Sequence, residues 1–123
     1  MSGSGINKVI LIGHLGQNPD LRYTPEGSAI VKVNLATTEL VINKKSGQKE
    51  PKTEWHHLVL FGQIAETAGN YLQKGSHIYI EGKLHTRKWQ DKYKQDRSTT
   101  EILVDSQWGR LFMLDRGNAI ASS

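Results

Sequence analysis

The sequence predicts an all-β fold with one helix: a five-stranded barrel in which the helix lies between the third and fourth strands. Three observations carry that expectation. Five short runs either concentrate β-branched residues or alternate apolar with polar side chains, the signature of a strand. A single run spaces its apolar residues at helical intervals. Polar connections rich in Gly, Pro, Asn and Lys separate the runs, and these residue types supply turn geometry.

Residues 6–13, INKVILIG, form a β-branched run ending at glycine and read as a buried first strand. The segments Gln17-Asn18-Pro19-Asp20 and Thr24-Pro25-Glu26-Gly27 are turn chemistry, with proline presetting φ. Residues 30–41 put Val31, Val33 and Leu35 on one face and Lys32 and Asn34 on the other, a half-buried second strand. The polar stretch 43–52 is read as too long for a tight hairpin turn, so it should project as a flexible basic finger. Residues 54–61 alternate again, with Trp55, His57, Val59 and Phe61 on one side and His56, Leu58 and Leu60 on the other. Residues 63–74 space Ile64, Ala68, Tyr71 and Leu72 helically, and Lys74-Gly75 reads as a basic last turn with a C-cap glycine. The fourth strand, 77–89, turns Ile78, Ile80 and Leu84 inward and Tyr79, Arg87 and Trp89 outward; Gly82 marks a bend or bulge. After a second polar loop at 91–96, residues 97–104 form the fifth strand, and the tail from Asp105 carries no clear pattern. Three strands, one helix and two strands is the arrangement of the OB fold, whose sheet face and loops commonly take oligonucleotides or oligosaccharides.

At 123 residues the chain fits one domain, 1–123, with a single core over about 5–115. Sixteen Lys and Arg against twelve Asp and Glu give a net charge of +4, which suits a polyanionic partner. With no cysteine there is no disulfide framework, thiolate zinc site or cysteine nucleophile. The run Val9 to Ile12 is too short for a signal core or a membrane span, and a soluble cytoplasmic protein is expected. Phosphate-binding, dinucleotide-binding and nucleophile-elbow motifs are missing, so no catalytic residue and no cofactor is assigned. His56 and His57 are adjacent on a strand and point to opposite faces, so they cannot chelate one metal ion. The GHLG at 13–16 matches the GXXG of a KH loop by letters only, since no helices flank it.

The informative constellation is aromatics interleaved with cations on outward strand faces. Trp55 and Phe61 lie on strand three; Arg87, Lys88 and Trp89 end strand four. Bases stack on aromatic faces and phosphates pair with cations, at about 1 to 3 kcal/mol per stacked base whatever the base. Residue type alone would equally allow Trp55 and Phe61 in the core. Parity decides: with Leu58 and Leu60 inward, both aromatics face out. The loops add Lys44, Lys45, Lys49 and Lys52, then Lys92 and Lys94, a cationic groove beside the aromatic strands. Tyr71 and Tyr79 read as packing residues.

The stretches GINKVILIGHLGQNPDLRY, TEWHHLVLFG, YLQKGSHIYIEGKL and TRKWQD carry a resemblance to the bacterial single-stranded-DNA-binding proteins over about residues 5–104. The resemblance implies an OB fold, a homotetramer, and wrapping of single-stranded DNA in replication, recombination and repair. It places Trp55, Phe61 and Trp89 on base-stacking positions, and Lys8, Lys44, Lys74, Arg87 and Lys88 among phosphate-facing cations. Lys45 and His57 join the same binding set; Asn7, Val9, Leu11, His56 and Tyr79 fall at subunit contacts. Three departures stand out. Val41 occupies a position where many members carry a further stacking tryptophan. His57 replaces a common arginine, exchanging a permanent charge for a titratable one. An acidic, partner-recruiting tip is expected to be missing, because residues 111–123 hold one acid, Asp115, beside Arg116. Alternative readings are a replication-restart or RNA-binding OB protein, or a protein-interaction scaffold that uses the barrel without nucleic acid.

Overall fold

Strands whose apolar residues recur every second position must bury one face, and a sheet that curls until its edges meet buries that face completely. The computed structural model, which describes residues 3–115, shows this closure. In chain order the elements are β1 (Val9–Leu15), the two-residue β2 (Arg22–Tyr23), β3 (Ala29–Ile42), β4 (Lys49–Phe61), α1 (Gly62–Tyr71), β5 (His77–Gln90), β6 (Asp96–Asp105) and β7 (Arg110–Met113). Neighbours run β1-β3-β4-β6-β5, and β5 returns to β1 in antiparallel register from Val9↔Gly82 to His14↔His77. The pairing of β4 with β6 is parallel, from Leu58↔Ile102 to Phe61↔Asp105. The five long strands make the OB barrel. Counting the short β2 puts α1 after the fourth strand, whereas among the barrel strands alone it follows the third.

The core repeats the predicted parity. Val31, Val33, Leu35, Leu58, Leu60, Ile78, Ile80, Ile102 and Val104 are buried together, with Ala65 and Ala68 of α1 closing one end. At Gly82 a Cβ would collide with the carbonyl oxygen of Leu103, so the expected bend is a place where β5 and β6 approach too closely for any side chain.

Five local expectations need correction. The first strand is not buried over 6–13: it runs Val9–Leu15 and buries one face only, with Ile10 and Ile12 55% and 52% exposed and Ile6 95% exposed before it. The stretch 43–52 is not a long finger: β3 and β4 stay paired to Ile42↔Lys49, and a tight turn follows. There the Asn43 side-chain oxygen accepts the Lys45 and Ser46 N–H groups at 2.8 and 3.2 Å, and Gly47 takes φ 72°. The helix stops at Tyr71, before Lys74, because residues 73–76 form their own turn, with Ser76 N–H donating to the Gln73 carbonyl and Gly75 N–H to that of Leu15. Leu84 keeps the inward parity of β5 but is 50% exposed, although Ile102 opposite it on β6 is buried: the β1 ladder on its other side ends at Val9↔Gly82, which leaves Leu84 at the open rim. The unassigned tail contributes β7, an added strand on β5. No helix among the described residues is long and apolar enough to cross a membrane.

Candidate nucleic-acid interface

Past the barrel rim, β3 with β4 and β5 with β6 continue as two projecting hairpins whose residues are exposed on both faces. The outward face of β4 carries Trp55, His57, Val59 and Phe61, and across the parallel pairing β6 adds Thr99, Glu101 and Leu103 on the same side. The outward row of β5 is Lys83, His85, Arg87 and Trp89, opposite Leu103, Glu101, Thr99 and Arg97. One outer surface therefore brings together Trp55, His57, Phe61, Arg87 and Trp89.

Trp55 is 56% exposed and pairs across strands with Ala36, whose small side chain leaves the indole uncovered. Its ring lies over Gly16, where a Cβ would come within 2.5 Å of Cζ3. Trp89 is 41% exposed, and its Nε1–H donates to Thr99 Oγ1 at 2.9 Å, which fixes the ring while leaving a face open. A recess of about 480 Å³ opens beside it, lined by Lys88, Gln90, Asp96, Arg97 and Ser98. Phe61 is only half-buried. A second recess on this surface, about 240 Å³, is lined by buried Val59 with Gln17, Lys32, Asn34, His57, Thr99 and Glu101.

The cations divide into two groups. Arg87 Nε lies 3.5 Å from buried Glu101, and Lys8 Nζ lies 3.1 Å from Glu81, so part of each charge is already answered. Lys44, Lys45, Lys74 and Lys88 have no ion pair among the described residues. Lys44 and Lys45 ride the tip of the first hairpin. Lys74 is exposed in the turn after α1, where its N–H donates to Asn18 Oδ1 at 2.8 Å. Lys32, on the outward face by alternation but absent from the expected binding set, joins it: it pairs with Val59 at the second recess. His57 Nδ1 donates to Asn34 Oδ1 at 2.7 Å, whereas His56 is on the opposite face and bonds Thr37 Oγ1 at 2.9 Å. Among the described residues no group of three His, Asp or Glu could hold a metal ion.

The residues assigned to subunit contacts are dispersed. Val9 and Leu11 turn inward and pack against the core, while Ile10 and Ile12 of the same strand are 55% and 52% exposed. Asn7 is bonded to both the N–H and the carbonyl of Leu84. Tyr79 stands beside Phe112, ring centroids 5.8 Å apart, and its hydroxyl donates to Glu81. That hydrogen bond raises the Tyr79 pKa and, with Lys8, lowers that of Glu81. Val41 is exposed on the first hairpin, on the face away from Trp55. The expectation about an acidic tip falls largely on residues 116–123, outside the described residues.

A closed five-stranded barrel with exposed aromatics on one outer surface, and unanswered cations at the first hairpin tip, in the turn after α1 and, at Lys88, on the face of β5 opposite Trp89, defines an OB domain suited to nucleic-acid strands. The chain belongs to the single-strand binding protein family, whose model matches residues 6–110. It is similar to the SSB of Plasmodium falciparum, solved in complex with single-stranded DNA: 35% identical, TM-score 0.83, covering 94% of this chain and 100% of that one. It is also similar to a deletion mutant of the single-stranded DNA binding protein from Thermus aquaticus, at 36% identity and TM-score 0.74. That match covers 92% of this chain and 53% of that protein, so the chain spans about half its length.

The contact between Gly16 and Trp55 yields a direct test. In Gly16→Ala the added methyl must push the exposed indole aside, a motion with little to resist it. Affinity for oligo(dT) should fall while the unfolding midpoint barely moves. A large loss of stability with unchanged affinity would show that the indole serves packing.

Proposed function

We propose that the chain coats single-stranded DNA without sequence preference, stacking bases on Trp55, Phe61 and Trp89 and setting phosphates against Lys32, Lys44, Lys45, Lys74 and Lys88. The observation that carries this reading is the pair of exposed indoles, one on each projecting hairpin, with a lysine-bearing recess on the same outer surface. A π-face accepts any base, so the surface discriminates by access to bases rather than by their identity. Duplex DNA hides those faces. The likeness to the Plasmodium protein, solved with single-stranded DNA, supports the same ligand. The process proposed is protection of exposed strands in bacterial DNA replication, recombination and repair, in the cytoplasm and without catalysis by the chain itself.

Self-association into a homotetramer belongs to the proposal. Two features support it: the apolar surface formed by Ile10, Ile12, Tyr79 and Phe112, and the free edge of β1. That strand bonds β3 only at His14 and Leu15, so its remaining edge offers N–H and C=O groups to another strand.

Two measurements test these statements. Each phosphate neutralised on a single strand adds about 0.7 to the steepness of log K against log salt. Replacing Lys44 and Lys45 together by Ala should flatten the slope by up to about 1.4 with no change in base preference; an unaltered slope would leave the hairpin tip outside the path. For assembly, light scattering should give four chains for the parent protein and fewer for Ile12→Lys. A monomeric parent would overturn the tetramer, and an undiminished mass in the variant would move the contact off β1.

A further inference from the structure

Trp108 has no part in the surface described so far. It stands in the turn between β6 and β7, 42% exposed, with the Lys83 ammonium 4.4 Å from its ring centroid. The turn holds it firmly: Gln107 N–H donates to Asp105 Oδ1 at 2.9 Å, and Gly109 N–H to the Asp105 carbonyl at 2.6 Å. A recess of about 260 Å³ opens beside the indole, lined by Asn7, Lys8, Glu81, Gly82 and Lys83. Arg110 reaches the same rim, its Nε 3.9 Å from Glu81. Three cations against one carboxylate leave the recess net positive.

The position is continuous with the outward row of β5. Lys83, His85, Arg87 and Trp89 share one parity, and six residues from Lys83 to Trp89 span about 20 Å at about 3.3 Å per residue. A strand leaving Trp89 along this row runs toward Trp108. An indole kept for stability would be covered by apolar groups; this one is half open and faced by an ammonium ion, the pairing an exposed aromatic makes until a better π-partner arrives.

We propose that Trp108 and Lys83 form an additional stacking subsite for one nucleotide of the bound strand, at the far end of the β5 row from Trp89. The base lies on the indole, displacing the Lys83 ammonium onto the neighbouring phosphate, where Lys8 and Arg110 add charge. The inference rests on the single-strand-binding reading and extends the path of the strand past the hairpins.

The test compares oligo(dT) of about 5 nucleotides with oligo(dT) of about 16, the lower and upper ends of what one OB fold covers. Trp108→Ala should weaken the longer oligonucleotide by about fivefold or more, as expected for one lost stack, and leave the shorter one unchanged. Trp108→Leu keeps an apolar cover over the turn and should lose the same affinity, whereas Trp108→Phe should restore most of it. If the Ala and Leu variants bind the longer oligonucleotide as tightly as the parent does, the subsite is overturned and the main surface stands. If the Leu variant keeps full affinity and only Ala loses it, Trp108 acts through packing and the subsite is likewise overturned. Failure of the parent to bind either length would instead overturn the single-strand reading itself.

Discussion

Two strand pairings close the barrel, β1 antiparallel to β5 and β4 parallel to β6, and the placement of every binding residue follows from them. Once those edges meet, Leu58, Leu60, Ile78, Ile80, Ile102 and Val104 must fill a shared interior. Because side chains alternate, the intervening residues stand outside, among them Trp55, His57, Arg87 and Trp89. A slip of one residue would reverse the faces of the strand that slipped, sending Trp55 inward and Leu58 and Leu60 into water if it were β4, or Trp89 inward and Ile78 and Ile80 out if it were β5. The apolar core therefore sets the register, and the register aims the aromatics.

The hairpin extensions turn that surface into something a flexible polymer can use. Beyond the rim, β3–β4 and β5–β6 have no core on either side, so they persist through backbone pairing and cross-strand contacts. Thr38 and Thr53 meet hydroxyl to hydroxyl at 3.0 Å, and Thr86 and Thr100 at 3.1 Å. Side chains tie each turn: Asn43 and Ser46 in the first, and in the second Asp91, which accepts the Tyr93 and Gln95 N–H groups and Arg97 Nε. The Gln95 N–H bond, with Arg97 and the Tyr93 N–H, lowers the Asp91 pKa, so the clasp stays anionic further into acid than an ordinary aspartate would. An indole standing free on such an arm contributes little to folding and is available to a ligand.

Much of this was legible in the sequence wherever a strand had the barrel on one side. Val31, Val33, Leu35, Leu58 and Leu60 declare the core by alternation, and the same parity puts Trp55 outside. Legibility ended where the pattern lost its physical cause. Leu84 keeps inward parity, but the β1 ladder beside it has ended at Gly82, so at the barrel rim alternation predicts a burial that does not occur. Val59 has outward parity and is buried, because β3 and β6 flank it and longer side chains wall the recess above. β7 is only four residues long, too short to show a period, so Trp108 just before it stayed unread. Lys32 is legible from alternation alone, as a single cation on an outward face, and differs from the loop lysines in belonging to no charge run. The ion pairs that occupy Arg87 and Lys8 join residues distant in the chain, and no local pattern announces them.

The central claim is that exposed bases, and not merely phosphates, hold the ligand on this surface. It is tested most directly by titrating the protein with oligo(dT) and with a duplex of equal phosphate count at one salt concentration, following tryptophan emission. Stacking on Trp55 and Trp89 predicts strong quenching and much tighter binding for the single strand. Equal affinity for the two ligands, with emission unchanged, would mean that lysines alone do the binding, and would contradict the account.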